Sequence, residues 1–198
     1  MALISAGNTV VDAGSLKLMD YELISTVTAS NSGLLEFTSG ITSTYDKYIF
    51  EFNNIHPVQD DVDWVFAVST DGGSNYNLSK TQAGVQLQGD EAGTAFQNAH
   101  QSLMNAAEQT GNIRLAHSTG NDADSNLNGH FMLYNPSNTT FMKSYICHIQ
   151  SHHKNNIAQL FTVSGYVNST SDVDAIKFLF TADNIESGTI KMYGVRGS

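Results

Sequence analysis

The stretch Tyr45-Asp46-Lys47-Tyr48-Ile49-Phe50-Glu51-Phe52-Asn53 decides the fold class. Tyr48, Phe50 and Phe52 take alternate positions, with Ile49, Glu51 and Asn53 between them. A period of two sends one set to a buried face of a β-strand and the other to the opposite face. The same period recurs outward from this stretch. Val62, Trp64, Phe66 and Val68 alternate with Asp63, Val65, Ala67 and Ser69. Over residues 140–152, Phe141, Lys143, Tyr145, Cys147 and Ile149 alternate with Met142, Ile146, His148 and His152. Phe161, Val163, Gly165 and Val167 share one side of 158–167, and Ile176, Phe178 and Phe180 one side of 173–181. Thr189 to Arg196 reads as a further strand, and fainter patterns mark 18–28, 33–38, 112–118 and 129–135.

Turn chemistry separates these runs, as in Asp71-Gly72-Gly73, Asn135-Pro136, Asn155-Asn156 and Ser187-Gly188, because Gly, Asn and Asp tolerate tight reversals. The spacing predicts about ten short strands. Only 96–109 has helical spacing, through Phe96, Ala99, Leu103 and Ala107, and it is expected to be a short helix or an irregular loop. Many strands without helical crossovers imply an all-β fold, an antiparallel β-sandwich of jelly-roll type. Residues 1–16 are weakly patterned and read as an N-terminal arm, with 17–198 as a single β-sandwich domain. Ile49 and Val65 put apolar side chains on what should be outer faces. One expected reason is that part of the outer surface packs on another subunit.

Composition narrows the function classes. The chain has 198 residues, a formal net charge of -10 and only 14% charged residues. Asn, Ser and Thr number 18, 21 and 17, so the polar surface is largely uncharged. An amide or hydroxyl that finds a partner is cheaper to bury than an ion, which suits assembly. The negative charge disfavours phosphate backbones and anionic bilayers, so neither nucleic acid nor membrane is an expected partner. No apolar run approaches the roughly 18 residues of a membrane span, and Met1 to Gly7 has no secretory-leader pattern. Cys147 is the only cysteine, which excludes an intrachain disulfide and any multi-Cys zinc site.

Candidate chemistry is sparse. Cys147 stands mid-strand, and its neighbour His148 must point to the opposite face, so no thiolate pair forms. His148 and His152 lie four strand positions apart, too far to share one zinc ion. Asp122, Asp124 and Asn126 resemble the opening of an EF-hand loop and are the calcium candidates, but Leu127 and Leu133 stand where that loop needs its Gly and Glu. Glu51 and Asp63 are the one carboxylate pair worth weighing for glycoside hydrolysis, since they fall on consecutive candidate strands. Ser69-Thr70-Asp71-Gly72-Gly73-Ser74-Asn75-Tyr76 resembles an Asp-box turn. There Asp71 is expected to bind backbone amides, Gly72 and Gly73 to make the turn with Gly73 at positive φ, and Tyr76 to pack as a plug. Asn77, Asn138 and Asn168 match the glycosylation sequon, a pattern expected by chance in so Asn-rich a chain. No catalytic residue, metal or cofactor is expected.

Three stretches carry a resemblance. The chain closes with Asp174-Ala-Ile-Lys-Phe-Leu-Phe180 and then Asn184-Ile-Glu-Ser-Gly-Thr-Ile-Lys-Met-Tyr-Gly-Val-Arg196. With Tyr45-Asp-Lys-Tyr-Ile-Phe-Glu-Phe-Asn-Asn-Ile55 and the Asp-Gly-Gly turn, this resembles β-rich virion structural proteins of tailed bacteriophages, notably cyanophages and other marine phages. The likeness covers residues 45–76 and 160–196. It implies a non-enzymatic virion protein on the capsid surface: a decoration or cement protein that clamps the major capsid protein and self-associates as a homotrimer. Val10, Val11, Leu16 and Leu18 are then interface candidates in the arm. The alternative is a tail fibre or tailspike-type module that binds a host glycan through Trp64, Tyr76 or Tyr134.

Overall fold

The computed structural model describes residues 3–5, 8–11, 21–94, 96–100 and 102–196. Fifteen strands and no α-helix occur among the described residues. β1 (Leu3–Ser5) and β2 (Asn8–Val11) pair only with each other. The rest are β3 (Tyr21–Thr28), β4 (Leu35–Phe37), β5 (Lys47–Pro57), β6 (Val62–Ser69), β7 (Lys80–Asp90), β8 (Phe96–His100), β9 (Ala106–Gln109), β10 (Ile113–Thr119), β11 (Leu127–Tyr134), β12 (Lys143–His153), β13 (Ile157–Val167), β14 (Ala175–Phe180) and β15 (Ile185–Val195).

Every pairing is antiparallel, and the strands form two layers. The larger runs β3-β15-β5-β11-β12-β13-β7, with β8 and β9 both on the far edge of β7; the smaller runs β10-β6-β14-β4. A single pair, Thr119 with His153, joins them at one corner. The chain crosses between layers at each step from β3 to β7, and again at each step from β9 to β11 and from β13 to β15. Eight strands thus make a jelly roll: β3, β15, β5 and β11 face β4, β14, β6 and β10. The segments β7–β9 and β12–β13 are insertions that widen the larger layer.

The alternating residues meet between the layers. Tyr48, Phe50, Phe52, Phe131, Tyr145 and Phe161 come from the larger layer, and Trp64, Phe66, Phe178 and Phe180 from the smaller; all are buried. Ring centroids lie 4.6 Å apart for Phe66–Phe131, 5.5 Å for Phe50–Phe178 and 5.7 Å for Phe52–Trp64. Such edge-on and tilted aromatic contacts add to the apolar burial that drives folding.

The structure departs from the sequence pattern at three places. Residues 96–109 form strand, a 3-10 turn at Ser102–Met104, and strand. Met104 and Ala106 are buried there, while Leu103 and Ala107, two of the helically spaced positions, are exposed. Residues 80–90, absent from the strands that the pattern marked, form one of the longest, with the polar residues Lys80, Gln82 and Gln86 at its inward positions. Phe141 lies ahead of β12 and is 69% exposed, whereas Lys143 takes the inward position expected of an apolar residue.

Candidate functional site

The Asp71 turn follows β6 and is tied on both sides. Asp71 Oδ1 accepts from Ser69 Oγ at 2.6 Å and from the Asn75 amide at 2.8 Å, and Oδ2 accepts from Asn75 Nδ2 at 2.7 Å. These donors, the Asn75 side chain foremost, hold the carboxyl below the usual carboxylate range. Gly72 and Gly73 take φ of +67° and +87°, and the Gly72 amide donates to Asp174 at 3.0 Å. A Cβ on Gly73 would collide with Thr38 at 2.8 Å, so the left-handed turn and the close packing both require glycine. Tyr76 is half-buried, donates to Glu36 at 3.1 Å and lies under the Lys177 ammonium, 4.4 Å from the ring centroid. Every contact in this turn is internal to the fold.

The outer face of the larger layer is a different surface. Cross-strand register aligns Tyr193, Ile49, Met132 and Ile146 in one row over β15, β5, β11 and β12. The next row is Lys191, Glu51, His130, His148, Thr162 and Val85. The His130 and His148 rings lie 5.3 Å apart, and His148 Nδ1 is 3.1 Å from Thr162 Oγ1. Burial holds the His130 imidazole below its ordinary value, and the neighbouring His148 adds to this against the pull of Glu51. A shallow groove at one end is lined by Tyr21, Ile49, Glu51, His130, Met132 and Tyr193.

The remaining candidates are dispersed. Glu51 belongs to the outer face of the larger layer. Asp63 lies on the smaller layer, where Arg114 Nη2 and Nε hold its Oδ2 at 2.7 and 2.8 Å. The two carboxylates therefore sit on opposite sides of the Phe52–Trp64 core and cannot flank one substrate bond. Asp122 and Asp124 are exposed in the β10–β11 loop, and Asn126 Oδ1 is taken up by Asn128 Nδ2 at 2.7 Å. Among the described residues no three His, Cys, Asp or Glu side chains gather around a common point. Cys147 is fully buried, and desolvation pushes its thiol pKa well up. Val65, expected as a subunit contact, is covered within the chain: it is 3% exposed and shares a hollow with Leu103, Asn105 and Arg114. Trp64 is fully buried and presents no sugar platform; Tyr134 is half-buried beside Met132. Val10 and Val11 fall in β2, while Leu16 and Leu18 lie outside the described residues.

One polar hollow at the end of the sandwich escapes sequence reasoning. Asn54, His56, Asp124, Ser125, Asn126 and Glu186 line it. His56 Nε2 lies 3.1 Å from Glu186, and its Nδ1 is 2.7 Å from the Ser125 carbonyl. Asn54 takes φ of +51°, its amide donates to Asn128 at 2.8 Å, and its side-chain oxygen accepts from Asn126 at 3.4 Å. The Asn-Asn pair at 53–54 is the sequence signal for such a kink. No family model matches the chain, and no curated protein or solved structure matches it.

Proposed function

We propose that this chain is a non-enzymatic structural subunit of a tailed-phage virion, a decoration or cement protein that binds and stabilises the major capsid protein lattice and self-associates as a homotrimer. The observation that carries the reading is a jelly roll whose larger layer offers a wide, open outer face rich in exposed apolar side chains, with Glu51 balanced by Lys47 and Lys191. Its closing strands also carry the resemblance to phage virion proteins. A net charge of -10 keeps such a subunit off the packaged DNA. Cryo-electron microscopy of the particles that contain this chain tests the reading. Density between capsomers on the head is the expected result; absence of the chain from purified particles rejects it.

The polar hollow at the sandwich end favours a second reading, a tail fibre or tailspike-type module that grips a host glycan. Its amides, hydroxyl and carboxylates match sugar hydroxyls in donor and acceptor supply. Density confined to the tail, with binding of the purified protein to host cells, selects this reading over the first.

A further inference from the structure

Six of the eleven large hydrophobic side chains exposed among the described residues lie on one surface, the outer face of the larger layer: Tyr21, Leu23, Val85, Leu87, Leu160 and Tyr166. Register confirms the shared face. Leu23 pairs with Tyr193, and Leu160 pairs with Leu87, all on strands whose alternate residues enter the core. On β7 the usual order is inverted: Lys80, Gln82 and Gln86 point inward and are buried, whereas Val85 and Leu87 are 45% and 42% exposed. A strand that buries its amides and exposes its aliphatics presents an apolar surface on its outer side.

Charge and area identify the occupant. The chain carries -10 overall, so two copies repel wherever acidic surfaces meet. On this face Glu51 is offset by its cross-strand neighbour Lys191 and by Lys47 on the same strand, so a second copy can approach it without that penalty. From β3 to β7 the layer has seven strands. At about 4.8 Å between strands and about 3.3 Å per residue, the face measures about 30 Å each way. That area, about 900 Å², matches the roughly 800 Å² per partner of a stable interface.

We propose that a second copy of this chain seats on the outer face of the larger layer, over the rows from Tyr193 to Ile146 and from Lys191 to Val85. This rests on the self-association in the proposed function and assigns it a surface. Light scattering of the purified full chain, coupled to gel filtration, tests it. The wild-type protein is expected at a multiple of 21.4 kDa. Ile49→Glu and Leu160→Glu are expected at the monomer mass, with native near-ultraviolet circular dichroism. Phe141→Glu, at an exposed apolar residue elsewhere, is expected to stay assembled. Assembled Ile49→Glu and Leu160→Glu proteins overturn this surface and leave self-association standing; a wild-type monomer at every concentration overturns the self-association itself. Should the glutamate variants unfold, hydroxyl-radical footprinting of the assembled wild-type protein decides. Leu23, Leu87 and Leu160 are expected to label several-fold more slowly than Phe141, and labelling equal to that of Phe141 overturns the surface.

Discussion

Two lysines occupy inward positions of the larger layer, and their surroundings give opposite expectations. Lys80 is fully buried, with its ammonium donating to the Leu78 carbonyl at 2.8 Å and lying 5.9 Å from the centre of the Phe66 ring. Desolvation, with a smaller push from Lys177, brings its pKa down to about 8 from the ordinary 10.5. The unfolded chain therefore binds this proton more tightly, and the fold gains stability as pH rises from 8 toward 10.5. At neutral pH the buried cation is a cost. Lys80→Met is expected to raise the unfolding free energy at pH 7 by about 1–3 kcal/mol, an advantage that shrinks above pH 8. Lys143 is also buried, but its ammonium donates to the carbonyls of Asn138, Phe141 and Ser169 and closes the loop before β12. Lys143→Met strands those acceptors and is expected to cost about 1–3 kcal/mol. Urea melts of both variants at pH 7 check the pair; a loss in Lys80→Met contradicts the argument.

At the scale of elements, one buried amide joins the insertion to the sandwich. Gln82 on β7 donates through Nε2 to the carbonyls of Met104 and Arg114, each at 2.7 Å, and its Oε1 accepts from Tyr145 at 3.0 Å. The side chain thus ties together β7, the 3-10 turn, β10 and β12. Gln82→Ala leaves a buried tyrosine hydroxyl and two carbonyls without it, so a loss of about 2–4 kcal/mol is expected. Hydrogen exchange should speed up in β7, β9 and β10 first, with β5 and β15 the last to open; uniform acceleration over all strands speaks against a local tie. The same residue explains what the sequence could not disclose. Apolar alternation marked β5, β6, β12, β13 and β14 because their core faces hold Phe, Val and Ile. β7 has Lys80, Gln82, Gly84 and Gln86 on that face, and its apolar alternation, Ala83, Val85 and Leu87, lies on the exposed side, so the pattern does not mark the face that enters the core. The strand is held by its backbone ladder to β13 and by side-chain hydrogen bonds of Gln82 and Gln86 whose partners lie tens of residues away. Layer membership was equally hidden. Glu51 and Asp63 are neighbours in chain order, but β5 and β6 lie in different layers, and alternation alone does not say on which side of the core a strand's outer residues emerge. The Asp71 turn was legible because its bonds are local: Ser69, Asp71 and Asn75 lie within seven residues.

For the whole molecule, histidine burial sets the response to acid. Desolvation lowers the pKa of His117, His130 and His153 below their ordinary 6.5. His117 is the most enclosed, with Nε2 3.0 Å from Gln86 Oε1 and its ring edge-on to Phe161 at a centroid distance of 5.2 Å. His130 faces His148 across one strand pair and Glu51 across the other; His153 lies by Lys154, Asp60 and Asp61. A depressed folded value means that the unfolded chain takes up the proton first as pH falls. The contribution of these three groups is therefore complete above about pH 6.5 and is lost as pH drops through their folded values. Carboxylates held below their usual range, Asp61 through Lys154 and Asp71 through Asn75, act only at lower pH, because their stabilisation lasts until the folded carboxyls take up protons. Two separate declines are expected: a histidine phase beginning near neutrality and a carboxylate phase beginning below the ordinary 3.8 of an aspartate. On the outer face the first phase also places positive charge on His130, beside His148 and one pair from Lys191, within the surface proposed to meet a second copy. Thermal midpoints measured between pH 8 and 5 should fall for the wild-type chain and fall less for His130→Asn. Under the same conditions the assembled mass should drop toward 21.4 kDa before secondary structure is lost. A midpoint independent of pH over that range contradicts the burial argument. Assembly that survives until the fold itself melts separates that failure from one of the histidine pair's position in the contact.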